Sequence, residues 1–157
     1  DLDSPEATAA REAYEAKVAE FSEVAEAQSN LKVLYIDVDP DAIYIAGPDG
    51  VSELKYLSKL GMNFGNADSE FAAEFWQTLS LEETITYPAD VVFNDVYSTV
   101  TELADLQAMD TVGFIPAIKA GQVGLWPRDF PVSYGGLTDF LETTLVTFRD
   151  AKKLDEA

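Results

Sequence analysis

Short apolar runs alternating with helical patterns constrain this chain most. Val33-Leu34-Tyr35-Ile36, Ile43-Tyr44-Ile45 and Val91-Val92-Phe93 are bounded by turn-forming residues. Runs this short read as buried strands. The spacing predicts strands over 32–38, 42–46 and 91–93, with a fourth from Gln122 to Trp126 after Gly121. Strands separated by helices require crossover connections, so the expected fold class is α/β, a mostly parallel sheet flanked by helices.

The helical segments carry their own start and stop signals. Ser4 followed by Pro5 is a capping hydroxyl and a first-turn proline. Tyr14, Val18, Phe21 and Val24 then recur on one face, which predicts a helix from Pro5 to Gln28. Gly47-Pro48-Asp49-Gly50 is a turn, and Val51, Leu54, Leu57 and Leu60 mark a helix closed by Gly61. Residues 62–75 read as a loop with a helical turn in Glu70 to Phe75. Thr99 and Glu102 fit a capping box for a helix ending near Leu106. Residues 110–120 read as irregular, with a helical turn after Pro116. Ser133 starts a last helix with an apolar face of Leu137, Phe140, Leu141, Leu145 and Phe148. Lys152-Lys153 is expected to complement its dipole. At 157 residues the chain is expected to form one domain with its own core.

The stretch from Trp76 to Tyr97 is the densest in signals. Trp76 is expected in a loop before a helix. Ser80 and Glu83 fit a capping box, so Glu83 has a structural task and its neighbour Glu82 has none. Pro88 ends that helix near Tyr87. The strand that follows runs into Asn94-Asp95-Val96-Tyr97, a loop at the carboxyl edge of a sheet, where ligands of open α/β folds sit.

Composition removes several function classes. The formal net charge is −19, which opposes nucleic acid and anionic membrane surfaces. There is no Cys and no His. That removes zinc sites built from them, Ser–His–Asp and Cys–His nucleophiles, and haem ligation by His. No transmembrane segment and no glycine-rich phosphate loop is recognisable. The start, Asp1-Leu2-Asp3, is expected to follow from processing or to continue a longer chain. With 29 Asp and Glu, adjacent carboxylates arise by chance, and catalytic residues are not expected. One enzyme-like alternative is a phospho-accepting, receiver-like signalling domain using Asp37, Asp39, Asp95 and Lys119. Its spacing is poor, because an extra strand follows the first and no Lys-Pro pair follows the last. Another alternative is an α/β interaction module with no small ligand.

The aromatic residues carry more information. Trp76, Tyr97, Trp126, Phe130 and Tyr134 fall in loops or at element edges, with Arg128 among them. Packing explains any one of them. Together around a sheet edge they predict a shallow aromatic pocket with one cation, suited to a large, flat, partly anionic ligand.

The ordered set of segments resembles a known family. The order strand, turn, strand, Gly-Pro turn and helix ending in Leu60-Gly61 is similar to the C-terminal lobe of iron–siderophore and vitamin B12 substrate-binding proteins of ABC transporters. Trp76 through Ser80, Glu82, Glu83, Pro88 and Asp90 to Phe93 resembles that family's "W…SxE…PDvI" segment. Ala89 separates Pro88 from Asp90, which the family more often has adjacent. Ile115-Pro116-Ala117-Ile118-Lys119-Ala120-Gly121-Gln122-Val123 resembles its "lpAvkaGrV" segment. The resemblance implies a single Rossmann-like lobe of a two-lobed periplasmic binding protein, with the helix over 5–28 at or after the interlobe connector. It implies a ferric siderophore as ligand, with cobalamin or haem as alternatives, and iron present only as the siderophore chelate rather than on a protein-held cofactor site. It implies an N-terminal lobe of the same protein and an ABC transporter permease as partners, and an extracytoplasmic setting, in a periplasm or as a lipoprotein. Site residues implied by position are Trp76, Tyr97, Trp126, Arg128, Phe130 and Tyr134 for ligand, and Glu82 for permease docking.

Overall fold

The computed structural model describes residues 4–154. The elements in order are α1 (Pro5–Ala27), β1 (Val33–Val38), β2 (Ala42–Ala46), α2 (Ser52–Lys59), β3 (Trp76–Ser80), a 3-10 turn (Leu81–Glu83), β4 (Val91–Asp95), α3 (Leu103–Ala108), a second 3-10 turn (Val112–Phe114), α4 (Pro116–Lys119), β5 (Val123–Trp126) and α5 (Tyr134–Phe148). The five strands form one sheet in the order β3-β2-β1-β4-β5. β1 pairs in parallel with β4, and β4 with β5, while β2 runs antiparallel to both β1 and β3. Four strands therefore share one direction and β2 alone opposes them, as the α/β expectation required.

Alternation along the strands splits the core into two layers. Val33, Tyr35, Ala46, Val91, Phe93 and Trp126 pack with Phe21, Leu54, Leu57, Phe140, Leu141 and Phe148 from α1, α2 and α5. Leu34, Ile36, Val38, Ile43, Ile45, Leu79 and Val92 pack with Leu106, Ala117 and Ile118 from α3 and α4. β4 is buried at every position.

The terminal signals act largely as the residues predict. The Ser4 hydroxyl accepts the Ala7 N–H at 3.1 Å, and the Ser133 hydroxyl accepts that of Gly136 at 3.1 Å. Gly61 takes a φ of +107°. There the Gly61 and Met62 N–H groups return to Ser58 and Leu57 carbonyls at 3.0 and 3.1 Å, a Schellman closure that needs the left-handed residue.

Four expectations are corrected. Trp76–Ser80 is a strand, not a loop. Only Leu79 of its five residues is buried, so the apolar alternation that identifies a strand is almost missing at this sheet edge. The helix expected after Ser80 is a single 3-10 turn, although the Glu83 carboxylate does accept the Ser80 N–H at 3.1 Å and its hydroxyl at 2.8 Å. The Thr99 capping box does not form; α3 is preceded by Glu102, and the Thr99 hydroxyl donates to Asp39. Lys152-Lys153 lies beyond α5. The carboxyl end of that helix is held instead by Gln28, whose amide donates to the Phe148, Arg149 and Ala151 carbonyls at 2.8–3.1 Å.

Asp90, at the entry to β4, clasps three parts of the chain. Its carboxylate accepts the Lys32 N–H at 2.7 Å, the Leu154 N–H at 2.9 Å and Lys153 Nζ at 2.9 Å. Burial alone would raise its pKa. The two backbone donors and Lys153 outweigh burial and hold it below the ordinary carboxylate value. Its contribution is therefore complete above the ordinary Asp pKa of about 3.9 and lost as pH falls through the lower folded value. Asp90→Ala strands two backbone donors and should cost about 2–4 kcal/mol at pH 7. In urea denaturation its deficit relative to the parent should shrink toward pH 3.

Candidate ligand-binding site

The carboxyl ends of β4 and β5 bring a cation, two aromatic rings and a buried carboxylate together. Asp95 ends β4 level with Trp126 of β5. Its neighbour Asn94 pairs with Ile36 of β1, which sets Asp37 beside Asp95 on the other flank. Arg128, two residues beyond β5, turns back over this point. Its Nε lies 3.0 Å from Asp95 Oδ2. Its guanidinium carbon sits 5.7 Å from the Trp76 ring centre and 5.3 Å from that of Tyr97, within cation–π range of both.

Asp95 is completely buried. Its Oδ1 accepts the Tyr97 N–H at 2.9 Å, a short local bond that fixes the turn after the strand. Oδ2 receives no aimed N–H from the described residues, so Arg128 meets it as a charge rather than through a well-directed hydrogen bond. Burial raises the Asp95 pKa more than Tyr97 N–H and Arg128 lower it, and Asp37 and Asp129 push it the same way as burial. Asp129 also faces the Tyr97 hydroxyl and raises its pKa.

Trp76, at the start of β3, pairs with Ala46 and is half-buried. Its ring meets Tyr44, Phe75 and Trp126 edge-on, at centroid separations of 6.3, 5.3 and 5.6 Å. Tyr97 is 58% exposed and Phe75 48% exposed. Trp76, Tyr97 and Arg128 are thus brought together at the surface. Phe130 lies on the far side of Arg128, where Ser52, Glu53, Tyr56, Arg128, Phe130, Val132 and Leu137 line a cavity of about 250 Å³. One face of the Phe130 ring is occupied by Phe140, stacked at 4.5 Å.

One expected contact residue, Trp126, is buried. Trp126 has no exposed surface; it stands edge-on to Tyr35 at 5.3 Å under Trp76, a core pillar that supports the site without touching a ligand. Tyr134 is partly exposed and tilts onto Tyr14 of α1 at 5.4 Å. Arg128, the expected cation, is paired with buried Asp95. Sequence reasoning missed Tyr44, Phe75, Asp129 and Glu53 as neighbours of this site. The strand alternation that puts Tyr44 opposite Asp37 was the available signal for the first; the others depend on tertiary packing.

The receiver-like alternative meets a direct obstacle. Asp95 is buried and Lys119 lies on α4, in the opposite layer. Among the described residues no group of three or more acidic side chains is arranged to hold a metal ion, and no helix is long and apolar enough to cross a membrane. Glu82 is exposed, on the 3-10 turn that Glu83 and Ser80 tie down.

Removing Arg128 should expose the cost of burying Asp95. A carboxyl whose folded pKa is raised favours folding at low pH and opposes it as pH rises through that value. Arg128→Ala should therefore destabilise by about 2–4 kcal/mol at pH 7, with a smaller loss at pH 5. Adding Asp95→Asn should recover most of the loss, as read by urea denaturation.

No family model matches the chain, and no curated protein matches it in sequence. Solved structures do. DesE, a ferric-siderophore receptor protein from Streptomyces coelicolor, is 29% identical over 99% of this chain and 53% of its own, with a TM-score of 0.82. PiaA from Streptococcus pneumoniae TIGR4, solved in complex with ferrichrome, is 24% identical over 94% of this chain and 54% of its own, at 0.64. A siderophore periplasmic binding protein from the fuscachelin gene cluster of Thermobifida fusca is 19% identical over 94% and 55%, at 0.69. The chain spans about half the length of each of these structures, and over that half it has the fold of a ferric-siderophore binding protein.

Proposed function

We propose that this chain is the C-terminal lobe of an extracytoplasmic substrate-binding protein that captures a ferric siderophore and delivers it to an ABC importer. The observation that carries the reading is the match in fold, over nearly the whole chain, to half of a ferric-siderophore receptor. An N-terminal lobe of the same protein supplies the other wall of the cleft, and the helix over 5–28 stands at or after the connector. The protein performs no covalent chemistry: iron arrives wrapped in its chelator, so the lobe needs shape, aromatic surface and a few hydrogen bonds rather than metal ligands.

The cluster of Trp76, Tyr97 and Arg128 suits that task. Trp76 and Tyr97 offer ring faces and edges to the chelate, and Arg128 holds the two rings around a fixed charge. Phe130 borders the adjoining cavity. Glu82 serves as the docking carboxylate for a permease. Its turn is pinned by its neighbours, so the side chain is presented from a fixed backbone. A periplasmic or lipoprotein setting goes with this role.

In the full-length protein, Fe3+–Desferal or ferrichrome should quench tryptophan fluorescence. Trp76→Phe should remove most of the quenching, because Trp126 is shielded. Absence of quenching and of calorimetric binding across hydroxamate and catecholate chelates, haem and cobalamin would overturn the reading. Glu82→Ala should leave chelate affinity within about twofold and lower iron uptake by cells severalfold; a loss of affinity instead would move Glu82 out of the docking role.

A further inference from the structure

Asp95 lies beneath the candidate site, and its two oxygens reach two of the three residues that meet at the surface there. Oδ1 accepts the Tyr97 N–H at 2.9 Å. Oδ2 lies 3.0 Å from Arg128 Nε, and no donor among the described residues is aimed at it. The guanidinium held in this way sits 5.7 Å from the Trp76 ring centre and 5.3 Å from that of Tyr97. The Arg128 side chain is still 29% exposed, and an approach through Nε leaves its two terminal nitrogens as donors for a ligand. Asp95 itself is completely buried. Burial, Asp37 and Asp129 together outweigh the Tyr97 N–H and Arg128, so the environment favours the neutral acid. An ionised Asp95 therefore adds nothing to stability, and a buried charge that opposes folding beside a site points to a task at that site.

We infer that Asp95 is a positioning residue for ligand capture: it does not touch the chelate, and its carboxylate holds the Arg128 guanidinium and the Tyr97 backbone in the places from which they do. The inference rests on the siderophore-binding reading and adds a residue to it. Charge, not a directed hydrogen bond, holds the pair, so neutralising Asp95 releases Arg128. Two cation–π contacts at a surface do not by themselves offset the rotamer freedom that a long side chain gives up. Binding must then order Arg128 as well, and affinity falls. The other groups that face the pair are Asp37 at the end of β1, Asp129 next to Arg128, and the Tyr97 hydroxyl. Glu53 of α2 lines the cavity that Arg128 shares with Phe130. Binding is strongest with Asp95 ionised, and it weakens as pH falls through the raised value of that carboxyl.

The test is a double-mutant cycle on the full-length protein, with ferrichrome or Fe3+–Desferal as the probe and calorimetric affinity read from about pH 7.5 to about pH 4. The parent should lose about fivefold over that range as Asp95 takes up a proton. Asp95→Asn keeps the shape of the side chain and an acceptor for the Tyr97 N–H. It should bind about fivefold more weakly than the parent at the upper end of the range, with a flat profile. In an Arg128→Ala background the same substitution should change affinity by less than about twofold, because its effect runs through Arg128. The double variant leaves no buried charge unpaired. If either single variant fails to fold, the parent profile against the flat profile of the double variant decides the matter. A pH profile that persists in the double variant overturns the positioning role and leaves siderophore binding standing. So does an Asp95→Asn loss of equal size with and without Arg128. Failure of the parent to bind either chelate overturns both.

Discussion

β4 is the one strand buried at every position, and an aspartate stands at each of its ends. The two carboxylates do different work with the same chemistry. Asp90 is met by two backbone N–H groups and Lys153. It fastens the start of β1 and the segment after α5 to the amino edge of the sheet. Asp95 has one backbone donor and one ion pair, and no second directed hydrogen bond. Their opposite pKa shifts follow from that difference in partners, since burial acts upward on both. The amino edge is built for stability, and the carboxyl edge keeps a buried carboxylate that the Tyr97 N–H and Arg128 offset only in part.

That imbalance organises the surface above it. Arg128 is drawn over Asp95, and the rings of Trp76 and Tyr97 lie close enough to contact its guanidinium. Trp76 is in turn supported from below by Trp126, and Trp126 by Tyr35, which stacks on Phe93 at 4.8 Å. A column of aromatic rings therefore runs from the middle of the sheet to the exposed site. Rigid rings with few rotatable bonds lose little entropy when a ligand settles on them. The price of holding a charge beneath them is met by the core packing of β1, β4 and β5.

The sheet was legible where side chains alternate or run apolar. β1, β2, β4 and β5 follow directly from Val33–Ile36, Ile43–Ile45, Val91–Phe93 and Val123–Trp126. β3 was not, because Thr78 and Ser80 are exposed, Gln77 is a half-buried polar residue, and Leu79 alone is fully buried. The Ser80–Glu83 box is present, yet it closes one 3-10 turn instead of a helix; a capping pattern fixes where a turn starts and says nothing about how far it extends. The site was legible in part. Trp76, Tyr97 and Arg128 were found through their unusual positions outside apolar stripes. Trp126 shares that signature and is buried, since at the end of the edge strand β5 its ring is covered by Tyr35 and Trp76. Asp95 is central to the site, and its sequence neighbourhood gave no hint of the partner 33 positions away.

The brevity of the turn after β3 bears on the proposed docking role of Glu82. A longer helix would move this carboxylate along its own axis and let it fray with the helix end. Here the turn is held at both ends: Glu83 binds back to Ser80, and the Thr84 hydroxyl reaches the Thr111 carbonyl at 3.4 Å. Glu82 is left exposed between two anchored neighbours. An exposed carboxylate earns little from a salt bridge when its side chain must be immobilised from a flexible backbone. Anchoring that backbone beforehand removes part of the entropy cost, so one charge can contribute usefully to orientation. The same acidic pair thus divides into a residue that shapes the turn and a residue that the turn presents.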